Sequence, residues 1–391
     1  MDHRYAVVAG ASLVQFTTIG LMFSFGLFFE VFEQEFGWTR TVLSAATATA
    51  FFMMGTLAIV AGRVADRFGP RIVIGIAGVG FGTGYMLISQ VGEPWQLLLL
   101  FATLIGLGLS THDVVTLSTI ARWFDKRRGV MTAVVKVGTA FGQFTIPPLA
   151  ALLIVTEGWR AAIVMLGIGG GVMILCAALL IKAPPKPAGN SPSGEVAGVS
   201  FAEARQSSTF WRLCAIQFLF FPTLMTVPLH IVVHGTDLGM TLETAATLLS
   251  VMAAASVAGR LVVGGLSDKL GGRRAYVLCF LPLIASLVAL VFVREPAFLF
   301  ASIALYGAAH GGFFTVVSPT VAEFFGLRAH GAIFGVILFF GTLGGSVGPI
   351  LAGRVFDLTG SYDPAFITLA GMAALGLVLA ATLRRPAGRY S

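Results

Sequence analysis

Windows of about twenty predominantly apolar residues, the length at which a helix crosses a bilayer, recur along the whole 391-residue chain. Twelve are read, at about 5–30, 41–62, 70–90, 95–122, 129–154, 160–182, 210–235, 242–266, 275–293, 296–322, 331–355 and 364–383. Inside lipid every backbone N–H and C=O must be satisfied within the segment, so apolar spans of this length fold as helices. Soluble domains have about a quarter of their residues charged; here the charged share is 11% and the mean hydropathy +0.90. The expected fold class is an all-α polytopic membrane protein with twelve transmembrane helices. The first window begins at Tyr5 without a small-residue cleavage site before Glu30, so it reads as a retained helix and not as a signal peptide.

A net charge of +7 and a pI near 9.7 invite a nucleic-acid partner, but the positions of the basic residues point elsewhere. Of the 25 Lys and Arg, 19 fall at or beyond the window ends of one side, four (Arg40, Arg160, Arg294, Arg354) at those of the other side, and two, Lys136 and Arg260, well inside helices. By the positive-inside rule this asymmetry predicts a multi-pass protein of the plasma (inner) membrane with both termini cytoplasmic. Cys176, Cys214 and Cys279 are scattered, without metal-site or disulfide spacing, and read as small packing residues.

The loop sequence GRVADRFGPR, residues 62–71, returns as GGLSDKLGGR, residues 264–273, with Asp66 and Asp268 standing 202 positions apart. GWT at 37–39 and GMT at 239–241 share that offset. An internal duplication follows, which predicts two pseudo-symmetric six-helix bundles over residues 1–182 and 209–391. Residues 183–208, rich in Pro, Gly and Ser, read as a cytoplasmic linker between them.

Both loops carry the pattern G-x-x-x-D-[RK]-x-G-x-R, as Gly62, Asp66, Arg67, Gly69, Arg71 and Gly264, Asp268, Lys269, Gly271, Arg273. In this the chain resembles the major facilitator superfamily over its whole length. The resemblance implies a cavity between the halves and a gating role for Asp66, Arg67, Arg71, Asp268, Lys269 and Arg273. RWFDKRRGVMTAVVKVGTAFGQ, residues 122–143, resembles a stretch of the monocarboxylate and oxalate/formate transporters through Trp123, Phe124, Lys126, Arg127 and Arg128, and departs from it at Met131 and Ala133. Residues 24–44 resemble the same group, as does the eighth-helix arginine followed by G-x-x-S-D-K. That likeness implies a substrate role for Arg260. Two departures bear on chemistry. Animal-type monocarboxylate carriers have an aspartate one turn before that arginine, where this chain has Ser256, and oxalate/formate exchangers have an eleventh-helix lysine, whereas residues 331–345 hold no ion.

An unpartnered guanidinium amid lipid costs roughly 3 kcal/mol on insertion scales, so Arg260 is expected to face a cavity or a partner. Its planar fork suits a carboxylate. The fourth helix holds His112 and Asp113, the latter about 13 Å along the axis from Arg122; Lys136 lies about 10 Å beyond Gly129 on the antiparallel fifth helix. With depths so matched, Asp113 and Lys136 are either an ion pair, as buried charges require, or Asp113, with His112 beside it, is the proton carrier. Arg260 and Lys136 against Asp113 leave one net positive charge, which one monoanion neutralises.

His230 and His234, four apart and so on one face, are candidates for outer-gate hydrogen bonding or for cavity lining; no third ligand is evident, and no metal is expected. His310 reads either as structural or as a substrate or proton site. Gln15, Thr17, Thr18 and Ser24 are candidates to line an aqueous path, and Phe25, Tyr306 and Phe339 to shape the apolar side of a ligand. The candidate substrate contacts are thus Arg260, Lys136, His310, His234, His230, Gln15 and Tyr306. The expected function is proton-coupled symport of a small monocarboxylate of the lactate, pyruvate or formate type. The alternatives are exchange of oxalate or another dicarboxylate clamped by Arg260 and Lys136, and a transporter-like sensor. No nucleophile–base arrangement or phosphate loop suggests an enzyme, and no cofactor is expected. The expected partners are a small organic anion, protons and the lipid bilayer, with no nucleic acid and a functional monomer.

Overall fold

A computed structural model describes residues 3–183 and 197–384 of the chain. Half of the expected linker, residues 184–196, lies outside the described residues. Among the described residues twelve helices are long and apolar enough to span a membrane: α1 (His3–Leu27), α2 (Val42–Phe68), α3 (Pro70–Ile88), α4 (Pro94–Trp123), α5 (Arg128–Glu157), α6 (Trp159–Leu180), α7 (Ser208–Asp237), α8 (Thr247–Leu270), α9 (Gly272–Phe292), α10 (Pro296–Phe325), α11 (His330–Phe356) and α12 (Asp363–Ala381). The fold class read from the sequence is the one observed. Large apolar side chains such as Phe144, Val155, Phe292 and Ile350 are exposed on the helices, which is the surface that a hydrocarbon solvent favours.

The helices begin and end where local chemistry dictates. Thr39 accepts from the Val42 N–H ahead of α2, and Thr241, 202 positions on, accepts from the Thr244 N–H at the start of the helical run that becomes α8. Such caps satisfy donors that the first helical turn leaves open. Between α2 and α3 the chain turns at Gly69, φ +90°, and between α8 and α9 at Gly271, φ +79°; the left-handed region admits glycine without the Cβ penalty. This explains in backbone terms why both loop motifs carry a glycine there.

The chain forms two compact units. One comprises Met1–Asp125, Val134–Gly198 and Leu327–Phe339; the other comprises Lys126–Ala133, Val199–Gly326 and Phe340–Ser391. In the first, α2 packs on α4, α3 on α4, and α6 on both α1 and α3. In the second the helices six places later repeat those pairings: α8 on α10, α9 on α10, and α12 on both α7 and α9. The 202-residue offset maps Pro94–Trp123 onto Pro296–Phe325 residue for residue, so the repeat inferred from two loops extends through the helices.

Candidate functional site

The first unit buries a polar cluster around Asp113. Gln15 on α1, His112, Asp113 and Thr116 on α4, and Lys136 and Thr139 on α5 are all buried. Close approach of α1 and α5 brings them together: a Cβ at Gly142 would run into the Phe16 carbonyl. Lys136 Nζ lies 2.8 Å from Asp113 Oδ1. Gln15 Nε2 donates to the same Oδ1 at 2.9 Å and lies 2.6 Å from the His112 carbonyl. The Gln15 Oε1 accepts from Thr139 Oγ1 at 2.8 Å and from Lys136 Nζ at 3.4 Å. His112 is held at Nδ1 by the Leu109 carbonyl, 2.6 Å away, and its Nε2 stands 3.3 Å from Asp113 Oδ2.

Burying charge in a low-dielectric interior is tolerable only when it is paired and hydrogen-bonded, and the cluster satisfies both conditions for Asp113. Gln15 is its hub, a role that a lone glutamine in an apolar first helix does not announce. Thr17, Thr18 and Ser24 instead donate back to carbonyls four residues earlier on α1.

The second unit carries a different arrangement. Gly311 lets α10 meet α8 so closely that a Cβ there would strike the Ser256 carbonyl. Ser256 and Arg260, one turn apart on α8, therefore lie along Tyr306, His310 and Phe314 on α10. Ser256 Oγ is 3.3 Å from His310 Nδ1. The Tyr306 and His310 rings stack at 5.7 Å, and His310 meets Phe314 edge-on at 5.2 Å. The buried Arg260 guanidinium carbon sits 5.8 Å over the Phe314 ring, within the range of a cation–π contact. Tyr306 donates to the Thr223 carbonyl on α7 at 2.7 Å. The result is a permanently charged fork beside the Phe314 ring, which suits an anion with an apolar body. Phe314 gave no sequence signal, being one of 33 phenylalanines.

His230 and His234 gather elsewhere, on Tyr362. His230 Nδ1 lies 3.1 Å from the Tyr362 hydroxyl, and His234 packs edge-on against Phe366 at 5.1 Å. Among the described residues no group of three or more His, Cys, Asp or Glu could hold a metal ion. Phe25 packs among aromatic rings of the first unit, 4.5 Å from Phe101, and Phe339 lies 6.4 Å from Phe52.

The loop aspartates act on helix starts. Asp66 pairs with Arg122 and accepts the Ala332 N–H at 3.1 Å, at the start of α11. Asp268 accepts the N–H groups of Gly129 at 2.6 Å and Val130 at 3.0 Å, at the start of α5. Carboxylates there answer both the open donors and the positive helix end. Arg67, Arg71, Lys269 and Arg273 are exposed.

After α1, a short helix Phe28–Phe36 carries Glu35, whose Oε1 is 2.6 Å from Arg160 Nη1 and which also accepts from Trp159 Nε1. The hydrogen bond from Arg160 holds this carboxyl below the usual carboxylate range.

A family model of the Major Facilitator Superfamily matches residues 11–296 and 213–390, together nearly the whole chain. The chain belongs to the Major Facilitator Superfamily. Among relatives of this superfamily member, the Escherichia coli protein named "Uncharacterized MFS-type transporter YhjX" is 28% identical over 85% of the chain and 84% of its own length. Human "Monocarboxylate transporter 7" is 25% identical over 97% of the chain and 86% of its own length. Bovine "Monocarboxylate transporter 13" is 26% identical, over 93% and 85%. The sequence likeness to the monocarboxylate group is therefore found along most of the chain. Among solved structures, the proton:xylose symporter XylE superposes with a TM-score of 0.80 at 13% identity, over 96% of this chain and 95% of that one. The human organic anion transporter MFSD10 does so at 0.74 and 18%, over 97% and 100%. At such identities these structures speak for the shared fold.

Proposed function

We propose that this superfamily member is a secondary active transporter of small organic anions that moves a monocarboxylate of the lactate, pyruvate or formate type together with a proton. The observation that carries the reading is Arg260, buried among Phe314, His310 and Ser256. The monocarboxylate transporters among its relatives supply the substrate class. Arg260 binds the carboxylate through its fork while Phe314 and Tyr306 border the apolar remainder. Asp113, with His112, carries the proton, and Lys136 is its resident counter-ion.

Under alternating access, the charge balance disfavours movement of the proton without the anion. Empty, the two clusters have one net positive charge, and with anion and proton both bound they have one again. With the proton alone they have two, the state most penalised in a low-dielectric interior. The carrier thus does not reorient with the proton alone. Asp66 and Asp268, capping α11 and α5, act as the gate contacts that break and reform. The chain functions as a monomer in the plasma (inner) membrane with both termini cytoplasmic, in line with its basic loop asymmetry.

The exchanger reading draws on Lys136 as a second buried cation, but Asp113 at 2.8 Å already engages it. A thermal-shift screen of the purified protein with lactate, pyruvate, formate and oxalate decides between them, because ligands that bind the native state raise its melting temperature. The expected result is stabilisation by a monocarboxylate that disappears in Arg260→Lys, whose point charge lacks the fork. Equal stabilisation of both proteins overturns the role of Arg260.

A further inference from the structure

The bonding around Asp113 is specific enough to say where a proton sits. A backbone carbonyl can only accept, so the 2.6 Å contact between the Leu109 oxygen and His112 Nδ1 requires that nitrogen to carry hydrogen. In the neutral ring, Nε2 is then a bare acceptor. It stands 3.3 Å from Asp113 Oδ2, which is also an acceptor when ionised. Two acceptors facing each other in a buried site repel unless a proton lies between them. The other carboxylate oxygen offers no equivalent place, because Oδ1 already receives Lys136 Nζ at 2.8 Å and Gln15 Nε2 at 2.9 Å. Nor is the orientation of Gln15 free. Its Oε1 is fixed by the Thr139 hydroxyl and Lys136, so its amide nitrogen is the end that meets Asp113.

We propose that a proton binds between His112 Nε2 and Asp113 Oδ2, and that Gln15 is the positioning residue that aims the free carboxylate oxygen at the imidazole. The assignment rests on the proton-coupled reading above and deepens it from a residue to an atom pair. Uptake adds one proton and breaks no covalent bond: the lone pair of Nε2 or of Oδ2 receives it, and the other atom accepts the resulting hydrogen bond. From the helices packed on α4, Lys136 of α5 is the charged group that touches the pair. α1 contributes the neutral Gln15, and Asp66 of α2 is engaged with Arg122, nine residues along α4. Without the proton, Lys136 and Asp113 balance; with it the cluster gains a positive charge in a buried site, a cost that an accompanying anion offsets. Proton binding thereby favours anion binding, and the reverse, as linkage requires.

The test is proton uptake by the purified full-length protein in detergent, without any carboxylate, read with a pH indicator after an acid jump in weakly buffered solution. Wild type is expected to take up about one proton per chain that Asp113→Asn does not, although that variant retains His112. Gln15→Met and Lys136→Gln are expected to keep the uptake but move its midpoint: Lys136→Gln upward by about one pH unit or more, since a neighbouring cation is removed, and Gln15→Met measurably from wild type. A merely structural role for Gln15 changes melting temperature and leaves the midpoint alone. Unchanged uptake in Asp113→Asn overturns the site, and an unmoved midpoint in Gln15→Met overturns the positioning role. Because no substrate is present, the outcome is independent of the transport reading. Uptake as predicted with no stabilisation by any carboxylate sinks that reading and spares the dyad, while stabilisation without the uptake does the opposite.

Discussion

The two polar clusters share one helix position that the repeat makes equivalent, α4 in the first unit and α10 in the second, yet they are built on opposite terms. In the first unit, Gln15, His112, Asp113, Lys136 and Thr139 satisfy one another. At the 202-residue offset their counterparts are Gln217, Phe314, Thr315, Leu338 and Gly341. Only the glutamine survives, and its environment shows the cost. The donors to the Gln15 Oε1 are Lys136 and Thr139; Leu338 and Gly341 have no side-chain donor to offer. Among the described residues the buried Oε1 of Gln217 accordingly has no hydrogen-bond partner. Conversely, Ser256 and Arg260 correspond to Met54 and Ala58 in the first unit. One scaffold has thus specialised twice, with a self-neutralised acid–base centre in one copy and a cation beside aromatic rings in the other.

The contrast breaks most readily at Lys136. Lys136→Met leaves the Asp113 carboxylate buried without its cation and should lower stability by about 3–5 kcal/mol. The double variant Lys136→Met/Asp113→Asn should recover most of that loss in thermal unfolding; a double variant as unstable as the single one contradicts the pairing. The two glutamines sharpen the comparison at the next level. Gln15→Leu should destabilise by about 1–3 kcal/mol by stranding its partners, whereas Gln217→Leu, which removes a stranded acceptor, should be neutral or stabilising. Equal losses at both positions would mean that the repeat has not diverged as described. Tyr306→Phe, losing the donor to the Thr223 carbonyl, should cost about 1 kcal/mol.

The smallest effect concerns Glu35. Because its folded-state value is lowered, its pairing with Arg160 contributes above the ordinary value of 4.5 and the contribution is lost as pH falls through the lower folded value. Melting temperatures of wild type and Glu35→Gln should therefore converge on acidification, and a gap that persists at the acid end refutes the assignment.

What could be read from the chain alone was whatever declares itself by contrast with an apolar background. Twelve apolar stretches have no other fold open to them in lipid, and Asp113, Lys136 and Arg260 stand out because ions there are expensive. The matched depths of Asp113 and Lys136, estimated from helix rise, anticipated their contact as one of two readings. Phe314, Thr139 and Thr223 could not be picked out, since phenylalanines and hydroxyls are common packing groups in membrane helices. The role of Gln15 depends on three helices meeting at one point. Likewise, nothing local in GRVADRFGPR tells that Asp66 caps a helix starting some 260 residues later.

The central claim, that anion and proton travel together through these two centres, is tested most directly in proteoliposomes holding a pH indicator, with lactate, pyruvate and formate supplied outside in turn. The account predicts uptake driven by an alkaline interior, acidification of the lumen in step with it, and loss of both in Arg260→Lys and Asp113→Asn. Uptake that continues as counterflow after the pH gradient is collapsed, with the lumen unacidified, would contradict it.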